Sequence, residues 1–244
     1  MKITTQILLI SLLLALGCKN PGDPETAPLD AGLIMYYPLN GNADDESING
    51  FHGAIFGATP AEDRFGNANG AMEFDGVDDY IEPQTNDIEL IGSFTISLWA
   101  KGLACQSCDD DEAGLVAVGA LNPYGLGIDE SGRILFQVVA SQRAFPVEET
   151  NTQIDPNQWY HYVGVYTAGQ SLILYINGQE VGRNSANIPL ALEESGGRLW
   201  IGGRATGVFA IKPNFYFDGL IDDVRIYNRA LTVSEISQLH SASD

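Results

Sequence analysis

The chain has 244 residues, 45% of them hydrophobic, and sets 32 acidic side chains against 12 lysines and arginines, for a formal net charge of −20. An acid excess of this size excludes nucleic acid and anionic membrane surfaces as partners held by charge. The length suits a single all-β domain of about 200 residues plus a tail.

In chain order, the first element is "MKITTQILLISLLLALGC", with a cationic start, an apolar run from Ile7 to Leu16, and then Gly17-Cys18. So short an apolar run is a signal peptide rather than a membrane span. Its end resembles the bacterial lipobox, which implies cleavage before Cys18 and a lipid anchor on that sulfur. Plain secretion with an unmodified Cys18 is the alternative. Residues 19–32, rich in proline, glycine and acids, form a flexible tether. The expected localisation is therefore the cell envelope, with contact to the membrane only through the lipid.

From residue 33 to residue 240, short apolar or alternating runs are separated every ten residues or so by Gly, Asn, Asp and Pro, the pattern of an antiparallel sandwich. Asn177-Gly178 between two such runs predicts a two-residue hairpin. "CQSCDDDE" holds Cys105 and Cys108 with no second ligand pair for zinc and no βαβ setting for redox work, which leaves a local disulfide in an exported loop. At the carboxyl end, Thr232 with Glu235 predicts a capping box and a short helix.

The segment "FDGLIDDVRIYNRAL" poses a problem. Strict alternation places Asp222 on one face with Leu220, Val224 and Ile226. A carboxylate stripped of water there needs a partner, because leaving it bare costs several kcal/mol.

"YYPLNGNADDESINGFHGAIFG", "AMEFDGVDDYIE", "SFTISLWAKG", "WYHYVGVYTAGQSLILYINGQEVG", "RLWIGGR" and "FDGLIDDVRIYNRALTVSEI" follow one another in an order that resembles the LamG-like jellyroll (laminin G type 3) domain of the concanavalin A-like lectin/glucanase superfamily. The resemblance implies a two-sheet antiparallel jellyroll sandwich with a short C-terminal helix, a concave face, and a structural calcium ion. It places the loop "NGNADDESINGFHG" beside the last strand, making Asp45, Asn49 and Asp222 the implied calcium ligands.

Catalysis finds little support. Glu73, Asp75 and Asp78 in "EFDGVDD" come close to the acid spacing of glucanases on this fold, but Gly76 interrupts them. His52, His161 and His240 lie outside any nucleophile elbow. Trp99, between polar neighbours in "SFTISLWAK", and Trp200, in "RLWIGG", are the candidate sugar platforms, since aromatic rings suit the apolar faces of sugars. The expected function is a non-catalytic, calcium-stabilised module that binds a glycan or a cell-surface protein. The alternatives are a scaffold role in an envelope assembly and a divergent glycoside hydrolase or lyase.

Overall fold

The computed structural model describes residues 28 to 242 apart from 86, 87, 89, 105–112, 119–123, 150, 151, 194–196 and 206–210. The signal peptide with Cys18, most of the tether, and the Cys105–Cys108 loop lie outside the described residues.

Among the described residues, sixteen strands precede one helix. They are β1 (Leu33–Tyr37), β2 (Gly53–Phe56), β3 (Thr59–Ala61), β4 (Ala71–Asp75), β5 (Tyr80–Pro83), β6 (Phe94–Ala104), β7 (Ala113–Val118) and β8 (Tyr124–Ile128). After them come β9 (Ile134–Ala140), β10 (Arg143–Glu149), β11 (Tyr160–Thr167), β12 (Ser171–Ile176), β13 (Gln179–Asn184), β14 (Leu199–Ile201), β15 (Gly203–Arg204) and β16 (Phe215–Tyr227), then α1 (Val233–Ser241). One sheet runs β13-β12-β11-β6-β16-β4-β3, with β1 and β15 also pairing with β16. The other runs β10-β9-β8-β7-β14-β5-β2. Every pairing is antiparallel, as a sandwich of hairpins and crossovers requires.

Alternation decides what goes between the sheets. Phe94, Ile96, Leu98 and Ala100 of β6 are buried against Phe136, Leu126 and Ile201 from the opposite sheet. The Phe94 ring meets Tyr124 at 4.9 Å and Phe136 at 6.0 Å, between centroids. Asn177 and Gly178, at φ 49° and 74°, turn β12 into β13 as the sequence predicts.

The α1 helix lies on the outer face of the first sheet, where Ile236 and Leu239 pack with Val163, Val165, Ile173 and Tyr227. Thr232 and Glu235 form the capping box, each side chain bonding the other's backbone N–H. Thr95 Oγ1 donates to the Arg229 carbonyl and accepts from the Leu231 amide, which fixes the approach to the helix.

Two local features depart from the commoner sequence signals of hairpins and strands. Ser141 and Gln142, both at positive φ, make a tight turn between β9 and β10, a hairpin that lacks the glycine signature. Pro146 is tolerated in β10 because that strand is a sheet edge. The larger departure is in β16. Asp223 sits at φ 54°, and the pairing with β6 shifts register between Asp222 and Arg225. This is a β-bulge, and it resets the alternation. Ile221, Val224 and Ile226 all point into the core. Asp222 does not share their face. It points outward, over the first sheet.

Candidate functional site

Along β6 and β16 the outer face of the first sheet mixes polar and charged groups with a few apolar ones: Thr95, Ser97, Trp99, Lys101 and Leu103 on β6, and Asp218, Leu220 and Asp222 on β16. The register sets Asp222 beside Trp99, and Leu220 beside Lys101.

The cation that answers Asp222 comes from this chain. Arg64, in the loop between β3 and β4, pairs one terminal nitrogen with Asp222 Oδ2 and the other with Asp223 Oδ2, the latter at 2.6 Å. Its side chain is 5% exposed, and the two carboxylates are 3% and 4% exposed. Asp223 Oδ1 also accepts from the Tyr36 hydroxyl at 2.9 Å and faces Arg225 Nη2 at 3.0 Å. Arg225 in turn lies 3.9 Å over the Tyr36 ring. A planar fork spanning two adjacent carboxylates is the geometry that favours arginine over lysine.

The implied calcium ligands have other partners. Asp45 is buried, but its Oδ1 accepts from the Tyr36 and Ser47 amides, while its Oδ2 accepts from the Ser47 hydroxyl and the Phe51 amide. Four donors therefore fill both oxygens and fold the loop around that carboxylate. Asn49 donates its Nδ2 to the Ile34 carbonyl, and Asp222 faces a guanidinium. Calcium takes six to eight free oxygen donors. Asp45, Asn49 and Asp222 do not fit one. Asp75, Asp78 and Asp79 form the one group of three acidic, His or Cys ligand atoms within 4.8 Å of one another among the described residues. Within it Asp75 Oδ1 accepts from the Val77 amide, and Asp79 Oδ2 accepts from the Asp75 amide, so these side chains hold the turn.

The two candidate tryptophans, Trp99 and Trp200, lie in different sheets. Trp200 is fully buried in the second, packed with Tyr80, Ala205 and Tyr216, and its Nε1 donates to Glu82 at 3.3 Å. It offers no ring to a ligand, because Tyr216 and its neighbours cover it. Trp99 is half-buried and engaged by its own chain. The Arg64 guanidinium stands 4.8 Å from its ring, and the His161 and His240 rings stack at 5.1 and 5.5 Å. His161 is buried, with Nε2 bonded to the Ser97 hydroxyl at 2.8 Å. Burial, then repulsion from His240 and the two nearby arginines, pushes its pKa down to about 3.

Beyond Trp99 the outer face opens into a cleft of about 540 Å³. Lys101 and Leu103 of β6, Glu73 of β4, and Asp218 and Leu220 of β16 form it, with Glu130 from the β8–β9 turn at its side. Its floor is a close approach of two backbones. Gly102 and Gly219 pair across β6 and β16 at φ 140° and 150°. A Cβ on Gly102 would lie 2.2 Å from the Asp218 carbonyl oxygen, and one on Gly219 would lie 2.2 Å from that of Lys101. Only glycine fits either place. Of the acids weighed for catalysis, Glu73 lines this cleft, while Asp75 stands opposite Asp218 in the strand register. Sequence reasoning singled out none of Arg64, Lys101, Leu103, Glu130 and Asp218. The visible trace was Lys101 two residues beyond Trp99 on the same face.

Residues 75–237 match the family model Laminin_G_3 of the concanavalin A-like lectin/glucanases superfamily. The chain belongs to this family. As a Laminin_G_3 domain it shares its fold with domain 4 of AbnA, a GH43 extracellular arabinanase from Geobacillus stearothermophilus solved with arabinotriose. That match has 21% identity and a TM-score of 0.65, covering 86% of this chain and 99% of the other. The binding domain of Paraclostridial Mosquitocidal Protein 1 matches at 18% identity and a TM-score of 0.69, over 87% of this chain and 52% of the other. The botulinum neurotoxin serotype G binding domain matches at 14% and 0.63, over 85% and 50%. The chain thus spans about half the length of the toxin domains it matches. No curated protein matches it by sequence.

Proposed function

We propose that this Laminin_G_3 domain is a non-catalytic module that binds a carbohydrate in the cleft on the outer face of its larger sheet. The cleft carries the reading: a concave volume with Leu103 and Leu220 for the apolar side of a sugar ring and Lys101, Glu73, Glu130 and Asp218 for its hydroxyls. Its supports are the family's lectin and glucanase membership and the arabinotriose bound to the AbnA domain. The binding domains among the other structural neighbours point toward recognition rather than turnover. Export and lipid anchoring at Cys18 would place the module on the cell envelope, facing glycans.

An oligosaccharide array probed with the whole chain tests this. Binding to at least one oligosaccharide is expected, weakened about tenfold in Lys101→Met or Leu103→Ala proteins that keep the wild-type circular dichroism. Silence across arabino-, xylo-, gluco- and chito-oligosaccharides, or binding indifferent to both substitutions, would defeat the proposal.

A further inference from the structure

Resting on that carbohydrate reading, we infer that the cleft selects sugars bearing a protonated amine, amino-sugar oligosaccharides, over their neutral and anionic counterparts. Three carboxylates, Glu73, Glu130 and Asp218, and one ammonium, Lys101, share a single volume. The acids at the other end of this face are each held by an arginine: Asp222 by Arg64, Asp223 by Arg64 and Arg225, and Glu235 by Arg229. Among the described residues, no arginine pairs with the acids of the cleft. Asp75 adds a further carboxylate opposite Asp218 on the neighbouring strand.

Asp218 stands opposite Asp75 in the strand register and shares the cleft with Glu73, and partial desolvation followed by repulsion from those two carboxylates raises its carboxyl pKa. A cation arriving in the cleft relieves that repulsion, whereas a uronic or sulfated sugar adds to it. Lys101 alone does not reverse the sign, because three acids outweigh it and the whole chain carries −20. A sugar amine also matches the geometry, since an ammonium donates in three directions and the cleft offers acceptors on both flanks. Exposed pairs are individually weak, so two or three acting together correspond to about a tenfold preference.

The test is calorimetric titration of the whole chain with a glucosamine trimer, an N-acetylglucosamine trimer and a galacturonic acid trimer, at low and high salt. The glucosamine trimer is expected to bind about tenfold more tightly than its acetylated form. The advantage should shrink in high salt and vanish in Glu73→Gln and Asp218→Asn proteins. It should survive in Glu62→Gln, which changes net charge equally on an exposed residue outside the cleft. Equal or tighter binding of the acetylated or uronic trimer, still lost in Leu103→Ala, would overturn the charge selection and leave the carbohydrate reading standing. Loss in Glu62→Gln equal to that in Glu73→Gln would show attraction by the protein's overall charge and overturn the assignment to the cleft. No binding of any trimer would overturn the amine selection, while the carbohydrate reading would still be decided by the oligosaccharide array.

Discussion

Replacing Arg64 by methionine removes the charge that holds the last strand's bulge while keeping most of the stem. The guanidinium and both partner carboxylates are almost wholly buried, at 5%, 3% and 4% exposure. Removing one partner from a buried pair costs about 3–5 kcal/mol, because the desolvated charge left behind loses its compensation. Asp223 keeps Arg225 at 3.0 Å and the Tyr36 hydroxyl at 2.9 Å, so the loss falls mainly on Asp222 and belongs near 3 kcal/mol, the low end of that range. In a domain of this size about 1 kcal/mol moves the melting temperature by roughly 2–4 °C, so Arg64→Met should melt roughly 6–12 °C lower. Adding Asp222→Asn should recover a large part of that fall, since the stranded charge goes with it. EDTA should leave the wild-type melting curve unchanged. Urea denaturation gives the free energy and differential scanning calorimetry the midpoint. A loss under about 1 kcal/mol in Arg64→Met, or a midpoint lowered by EDTA, would refute the guanidinium as the countercharge of Asp222.

Three other outcomes follow from the same structure. His161 has a folded pKa of about 3 against an ordinary value near 6.5, so below that ordinary value the unfolded chain takes a proton the folded one refuses. Its contribution is therefore lost as pH falls from about 6.5 toward 3, by roughly 1.4 kcal/mol per unit. The groups facing it are His240, Arg225 and Arg64, with Ser97 bonded to the ring. A His161→Gln protein should show a flatter stability profile over that window in urea titrations, and an identical slope would contradict the assignment. Gly219→Ala should lose about 3 kcal/mol or fail to fold, because the new Cβ meets the Lys101 carbonyl at a positive φ; a neutral result by calorimetry would count against the close backbone approach. Thr232→Ala should lose about 1 kcal/mol through the capping box, seen as a drop of roughly 2–4 °C in the melting temperature; no shift would show the cap to be idle.

The architecture was legible because its signals are local. Alternation in "SFTISLWAK" separates Phe94 and Ile96 from Trp99, Asn177-Gly178 makes its turn, and Thr232 with Glu235 starts its helix. Asp222 was misplaced for an equally physical reason. A bulge inserts one residue into the period of two, and nothing in "LIDDVRIY" distinguishes a bulged aspartate from a paired one. The partner was hidden as well, because Arg64 lies 158 residues away in a loop and its role exists only once β16 pairs with β4 and β6. Asp45 was read from the resemblance as a calcium ligand, but its oxygens are taken by amides and a hydroxyl of its own neighbourhood. Trp200 alternates with core residues and so had to lie on an outer face. That Tyr80 and Tyr216 cover that face is a tertiary fact. The cleft was least visible, since it is assembled from β4, β6, β16 and the β8–β9 turn, which lie far apart in the chain and meet only once the sheet is built.

Where on the molecule a sugar sits is measured most directly by following backbone amide NMR shifts as the glucosamine and N-acetylglucosamine trimers are titrated into the whole chain. The account predicts that the largest changes cluster at residues 101–104 and 218–220 for whichever trimer binds. Changes confined to the loop at 40–53, or to the outer face of β8, β9 and β10, with 101–104 and 218–220 unmoved, would contradict it.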